Sequence, residues 1–262
     1  MTSAKYDRAA WLIGPAGECA QRPALSQARR VVLLGAPGVG KGTQAELLHQ
    51  SLNACHLSTG DLFRGVNNQK GCLFSPAMAV ALESMQKGEL VADSTVWEIV
   101  RERSRCLLCR GGFILDGFPR TVPQALALRQ LTERESLTLN AVVNYELPIP
   151  EIVERLSGRR TCERCKAIYQ VTQRPARIEG VCDQCGGRLF QREDDRPEAF
   201  AVRMEAYERS TALLIEFYRN LGLLLSVAAA GSPPEICART ISELKARIAS
   251  KAVKGTSQYF PI

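Results

Sequence analysis

The sequence predicts an α/β fold: a parallel sheet covered by helices on both faces, carrying two inserted lobes. Three observations predict it. Five short apolar segments, residues 31–34, 54–57, 113–115, 141–147 and 223–227, read as buried strands with helical patterns between them, and strands alternating with helices argue for parallel pairing. The first segment runs directly into a glycine-rich turn and then a helix. Two stretches break the alternation, a helical one over residues 58–91 and a cysteine-bearing one over residues 156–195.

The bulk numbers fit this picture. A chain of 262 residues with 45% hydrophobic residues can bury one large core with insertions, since domains commonly run to roughly 100–200 residues. The formal charge of +7 favours anionic partners, nucleotide phosphates and nucleic acid alike. No segment is long enough to span a membrane, the longest apolar run, residues 221–230, being half of the ~20 residues needed. Near the start, "AAWLIGPAGEC" follows Lys5 and Arg8, but Gly14 and Pro15 interrupt it. It makes a poor signal peptide, and residues 1–29 read as a loose extension of a cytoplasmic protein. No internal repeat stands out.

The first strand opens "VVLLGAPGVGKGTQAELL". Glycines let the backbone wrap closely, so that successive N–H groups point at phosphate oxygens. The helix that begins near Lys41 adds positive potential at its N-terminus, and Lys41 can meet a phosphate as a point charge. Against the pattern G-x-x-x-x-G-K-[ST], Gly35, Gly40 and Lys41 fit. Gly42 stands where the hydroxyl residue belongs, and Thr43 comes one place late. A Mg²⁺ ion here must be held by phosphates and by waters on nearby carboxylates. Asp116, at the end of the third strand, is placed for that work at the carboxyl edge of a parallel sheet. Asp61 is the second candidate.

Later in the chain a helical pattern spans residues 197–220, with Asp195 or Arg196 capping and Pro197 near the first position, which suits a proline. The cysteine lobe holds two Cys-x-x-Cys pairs, Cys162/Cys165 and Cys182/Cys185, sixteen residues apart. Four thiolates give zinc a closed tetrahedral shell, the structural type of site. Iron is the alternative metal; free thiols or two disulfides are the readings without one. A further pair, Cys106/Cys109, lacks a partner pair.

The departure at Gly42 has a family. "GAPGVGKGTQ" resembles the phosphate loop of adenylate kinases, and the resemblance continues through "STGDLFR", "GELVAD", "GFILDGFPRTVPQA", "RLSGRR" and "QREDD", in order, over about residues 30–250. It implies a P-loop NTPase-like five-stranded parallel sheet with an inserted helical AMP-binding lobe and a zinc-ribbon lid. The implied division is core at 30–57, AMP lobe at 58–91, core at 92–155, lid at 156–195, core at 196–250 and tail at 251–262. The implied reaction is ATP + AMP ⇌ 2 ADP with Mg²⁺, carried out by a monomer that needs neither nucleic acid nor membrane.

By the same resemblance, Gly38, Val39, Gly40, Lys41, Gly42 and Thr43 cradle the ATP phosphates. Arg64 and Arg120 clamp the AMP phosphate, and guanidinium suits this because it grips phosphate through two parallel hydrogen bonds. Arg155, Arg159, Arg192 and Arg203 close on the transferring phosphates. Thr59, Gln124 and the backbone near Glu89, Leu90, Val91 and Gly117 read the AMP base, beside Phe118 and Pro119. Ile168 and Tyr169 lie against the ATP base, with a backbone group near Ser232. Gln170 replaces the histidine that often follows the tyrosine, and Ala92 a frequent proline. His49 and His56, the two histidines of the chain, read as structural. The phosphate nucleophile is already ionised, so no protein base is required. Two rivals stand beside this reading: a kinase for another nucleoside monophosphate, and a zinc-ribbon nucleic-acid-binding module on a nucleotide-dependent switch.

Overall fold

The structure, a computed structural model, describes residues 29–66, 75–86, 91–102, 112–165 and 167–256. Five strands form the predicted sheet: β1 (Arg29–Gly35), β2 (Cys55–Ser58), β3 (Gly112–Asp116), β4 (Ala141–Glu146) and β8 (Leu224–Ala228). Their order across the sheet is β2-β3-β1-β4-β8, and every pair is parallel. Each predicted strand is found within a residue or two of its expected ends.

The continuous apolar runs follow from burial on both faces. Side chains alternate along a strand, and the two faces carry separate cores. Val32, Leu34, Phe113, Leu115 and Val142 pack with residues of α3 (Pro76–Gln86), α4 (Asp93–Glu102), α5 (Val122–Arg134) and α8 (Leu213–Asn220). Val31, Leu33, Ile114, Ala141 and Val143 pack with α1 (Lys41–Leu52) and α9 (Pro233–Thr256). The short α2 (Thr59–Val66) continues directly from β2.

Strand β1 lies at the middle of the sheet, between β3 and β4. The chain leaves it toward β2 and β3 and later returns to its other side at β4. Such a reversal opens a crevice at the carboxyl ends of the strands, where ligands of open α/β sheets bind. The glycine turn after β1 and Asp116 at the end of β3 both face that edge.

Helix α6 (Ile149–Ser157) leads into an antiparallel sheet of three short strands, β5 (Arg159–Cys162), β6 (Ile168–Gln170) and β7 (Leu189–Phe190), in the order β6-β5-β7. Its buried interior consists of Cys162, Tyr169, Cys182 and Leu189. A 3₁₀ turn, Glu193–Asp195, leads back to the core.

The helix predicted over 197–220 is divided. It forms α7 (Pro197–Ala206), a π-helical turn (Tyr207–Thr211) and then α8. Helix α7 has no buried residue. Arg196 is its N-cap, without a side-chain hydrogen bond, and proline opens the first turn. Asp195, the other capping candidate, does not cap: its carboxylate is taken by Arg159. Among the described residues no helix is long and apolar enough to cross a membrane.

Candidate active site at the carboxyl edge of the sheet

Gly40 is the N-cap of α1 with φ of 108°, and no side chain caps that end. A left-handed backbone here favours glycine. The first N–H groups of α1 therefore point into the crevice without a capping side chain, the arrangement that suits an anion. Lys41 curls over the turn, its Nζ donating to the carbonyls of Gly35 at 2.6 Å and Ala36 at 2.9 Å. Burial lowers its pKa to about 8. The charges of Arg120, Arg203 and Arg159 push the same way and Asp116 opposes them. Three arginines separated widely in sequence thus bear on one lysine.

Asp116 sits against the bare backbone at Gly42, its Oδ2 3.5 Å from where a Cβ would stand. His56, buried on β2, brings its Nε2 to 3.6 Å from the same oxygen. Burial works against ionisation of Asp116, but His56, Lys41 and Arg120 outweigh it and hold the carboxyl below its ordinary range. His49 bonds the Ala54 carbonyl through Nδ1 at 2.5 Å.

On one flank of the crevice, the loop after β3 is pinned at both ends. The Gly117 carbonyl accepts from Thr59 Oγ1 and from Arg120 Nε, each at 2.9 Å. Asp93 at the start of α4 accepts from Thr121 Oγ1 at 2.7 Å and Gln124 Nε2 at 2.6 Å. Gln124 Oε1 accepts from the Arg120 N–H at 2.8 Å. Gln124 and Thr59 therefore act here as frame, both ends of the glutamine amide being engaged within the protein. Phe118 is fully buried and stacks on Trp97, with ring centroids 6.3 Å apart. Pro119 is also buried, and Val91 packs against the core. Arg120 itself is exposed at the crevice. Glu89, Leu90 and the side chains of Asp61 and Arg64 lie outside the described residues.

On the other flank, Arg155 joins two loops, donating to the Val39 carbonyl at 3.2 Å and the Ala229 carbonyl at 2.8 Å. Arg159 grips Asp195 with two parallel bonds, Nε to Oδ2 at 2.7 Å and Nη2 to Oδ1. The Asp195 side chain is fully buried. Arg203 approaches the same carboxylate at 3.9 Å and donates to the Asp194 carbonyl at 2.9 Å. Arg192 Nε donates to Thr161 Oγ1 at 2.9 Å. Glu235 reaches back over the start of α9, its Oε2 accepting from N and Oγ of Ser232, each at 2.8 Å. Beside it Arg155, Gln173, Glu151 and Glu154 line a cavity of about 350 Å³. Gln170 accepts from the Thr172 and Gln173 N–H groups and so ties a lid turn.

The four knuckle sulfurs lie within 4.8 Å of one another. Cys162–Cys185 and Cys165–Cys182 are each 3.5 Å apart, far beyond a disulfide's ~2.05 Å. A tetrahedral zinc with ~2.3 Å bonds spaces its sulfurs about 3.8 Å apart, so the cluster fits a zinc ion. The Tyr169 hydroxyl accepts from the Asp183 N–H at 2.9 Å and stands 3.4 Å from Cys182 Sγ, which leaves its own proton for that sulfur. Burial raises Cys182, but hydrogen bonds led by Tyr169 and the Gln184 N–H outweigh it and bring the thiol to about 6. Tyr169, expected against a nucleotide base, thus has its ring in the lid core and its hydroxyl on the knuckle, while Ile168 beside it is half-buried. Cys106 and Cys109 lie outside the described residues.

A family model for adenylate kinase matches residues 33–223. The chain belongs to the adenylate kinase family. Among relatives bearing that name, the protein of Carboxydothermus hydrogenoformans is 45% identical over 210 residues, covering 80% of this chain and 96% of its own. That of Caldicellulosiruptor saccharolyticus is 47% identical over 218 residues, 83% of this chain and 98% of its own. That of Streptomyces coelicolor is 43% identical over 217 residues, 82% and 98%.

Within this adenylate kinase frame, two carboxylates gained roles that sequence reasoning did not give them. Asp195 was read as a helix cap and is the buried partner of Arg159. Asp93, the last residue of "GELVAD", is the anchor of the "DGFPRT" loop. The signal available was the run of acids in "REDD" between basic residues; nothing local marks Asp93.

Proposed function

We propose that the chain is an adenylate kinase, moving the γ-phosphoryl group of ATP onto AMP to give two ADP, reversibly. The observation that carries the reading is the convergence of Lys41, Asp116, Arg120, Arg159 and Arg203 on the helix N-terminus after β1. Phosphoryl transfer asks a protein for in-line placement, neutralised charge and a dry site rather than covalent chemistry. A cluster of cations around an anion-binding turn meets the second demand directly.

The backbone of Gly38, Val39, Gly40, Gly42 and Thr43 cradles the donor phosphates, and Lys41 turns from its own carbonyls to them. Arg120, with Arg64, grips the acceptor phosphate. Arg159, Arg192 and Arg203 neutralise the charge that spreads over the transferring group, and Arg155 fixes the loops on either side of the donor. Asp116, with Asp61, would hold a Mg²⁺ ion through water, and bound with ATP such an ion would draw charge from the phosphate oxygens. Backbone near Ile168, Tyr169 and Ser232 meets the ATP base; Thr59, Gln124 and the chain at 89–91 and 117–119 frame the AMP base. Cys162, Cys165, Cys182 and Cys185 hold a structural zinc. We read the protein as a cytoplasmic monomer that acts on nucleotides and not on nucleic acid.

The test is an acceptor panel. The purified chain is given MgATP with AMP, GMP, CMP or UMP in turn, and diphosphate formation is followed. AMP is expected to be phosphorylated at least ~10²-fold faster than the others, the discrimination a site built on base hydrogen bonds provides. Preference for another monophosphate would replace the reading with that kinase.

A further inference from the structure

The π-helical turn between α7 and α8 has a chemical consequence at the acceptor site. In an α-helix the Tyr207 carbonyl would pair with the N–H of Thr211, and a mid-helix threonine hydroxyl commonly bonds back to the same carbonyl. Here that carbonyl instead accepts from the Ala212 N–H at 2.9 Å. Ser210 behaves ordinarily, its Oγ donating to the Ala206 carbonyl at 2.6 Å. Thr211 does not: its hydroxyl leaves the helix and donates to the Arg120 carbonyl, 91 positions away, at 3.0 Å. Turns of this kind recur at functional sites.

This bond completes the immobilisation of one residue, on the peptide groups at both of its sides. The Arg120 N–H is held by Gln124, the Arg120 carbonyl by Thr211, and the guanidinium Nε by the Gly117 carbonyl. Helix α8 gives the tie a firm base, since Leu214 and Tyr218 are buried in the sheet core. We propose that Thr211 is a positioning residue for the acceptor phosphate. By fixing the Arg120 main chain from the α8 side, it aims the guanidinium at the phosphate of a nucleoside monophosphate. The inference rests on the phosphotransferase reading for the identity of that ligand.

The experiment is calorimetric binding of AMP and, separately, of ATP to the full chain carrying Thr211→Val, Thr211→Ala or Thr211→Ser, with melting followed for each. Loss of the hydroxyl is expected to weaken AMP binding about 3- to 10-fold, the size of one net hydrogen bond. ATP binding should stay within about twofold, and Thr211→Ser should bind AMP as the native chain does. AMP affinity within about twofold of native in both Val and Ala variants would overturn the proposal. So would equal losses for AMP and ATP, or a serine variant as weak as the valine one. Whichever of Val and Ala keeps the native melting behaviour decides the matter if the other does not fold. A native chain that binds AMP but makes no ADP would defeat the phosphotransferase reading while leaving this comparison intact. A native chain that binds no AMP would defeat both.

Discussion

Lys41 carries a pH signature that can be read directly. With no nucleotide beside it, its pKa is lowered to about 8 by burial and by the neighbouring arginines. A phosphate anion placed beside it favours the charged form and raises that value. ATP binding is therefore strongest below pH 8, where the lysine is already charged. It weakens as pH rises through about 8, because binding must then take up a proton, by at most about one factor of ten per pH unit. Calorimetry from pH 7 to 10 checks this, and an affinity that stays flat to pH 10 would contradict it. At this scale the sequence was legible where chemistry is local. The loop from Gly35 to Thr43 announces itself through glycine spacing, and Asp116 through its place at a strand end. Asp93, Asp195 and the hydroxyl of Tyr169 were not legible in the same way, because a buried polar group finds its partner through the tertiary fold. The tyrosine was expected against a nucleotide base; its ring fills a lid core too small to do without it.

The lid rests on little burial of its own. Its interior is four side chains, two of them cysteines, which is far below what a small unit needs to order itself, and such units commonly rely on a metal. Removing the metal by chelation, or replacing Cys182 and Cys185 with serine, is expected to lower the melting temperature of the lid or of the whole protein by several degrees, since zinc binds the ordered ribbon far better than the open chain. Turnover should change less than stability in molecules that remain folded, because Lys41, Asp116 and Arg120 lie outside the lid, with some loss because a loosened lid places Arg159 and Arg192 poorly and admits water. Melting, bound zinc and ADP formation measured together distinguish this from its opposite: complete inactivation with unchanged melting would mean a metal in the chemistry. The strands of the core were legible because burial on both faces makes each an unbroken apolar run. The division of the helix over 197–220 was not. The extra residue of the π turn shifts the phase of the following apolar pattern by about 100°, but α7, with no buried residue, offers no pattern against which that shift can be read.

For the whole molecule, the order β2-β3-β1-β4-β8 places one crevice at the carboxyl edge, and the cations of four separate segments meet there. That convergence underlies the central claim, that ATP and AMP react with each other in one site. A basic chain with a zinc ribbon was also compatible with a nucleotide-driven switch on nucleic acid, and the two readings differ in what becomes of the γ-phosphate. Family membership over residues 33–223 covers the phosphate turn, the loop after β3 and the lid alike. The decisive measurement is the number of ADP molecules formed per ATP consumed, with and without AMP, in the presence of Mg²⁺. The account predicts two ADP per ATP when AMP is present, with no inorganic phosphate released, and negligible consumption of ATP when AMP is left out. One ADP and one phosphate per ATP, at a rate indifferent to AMP, would contradict it.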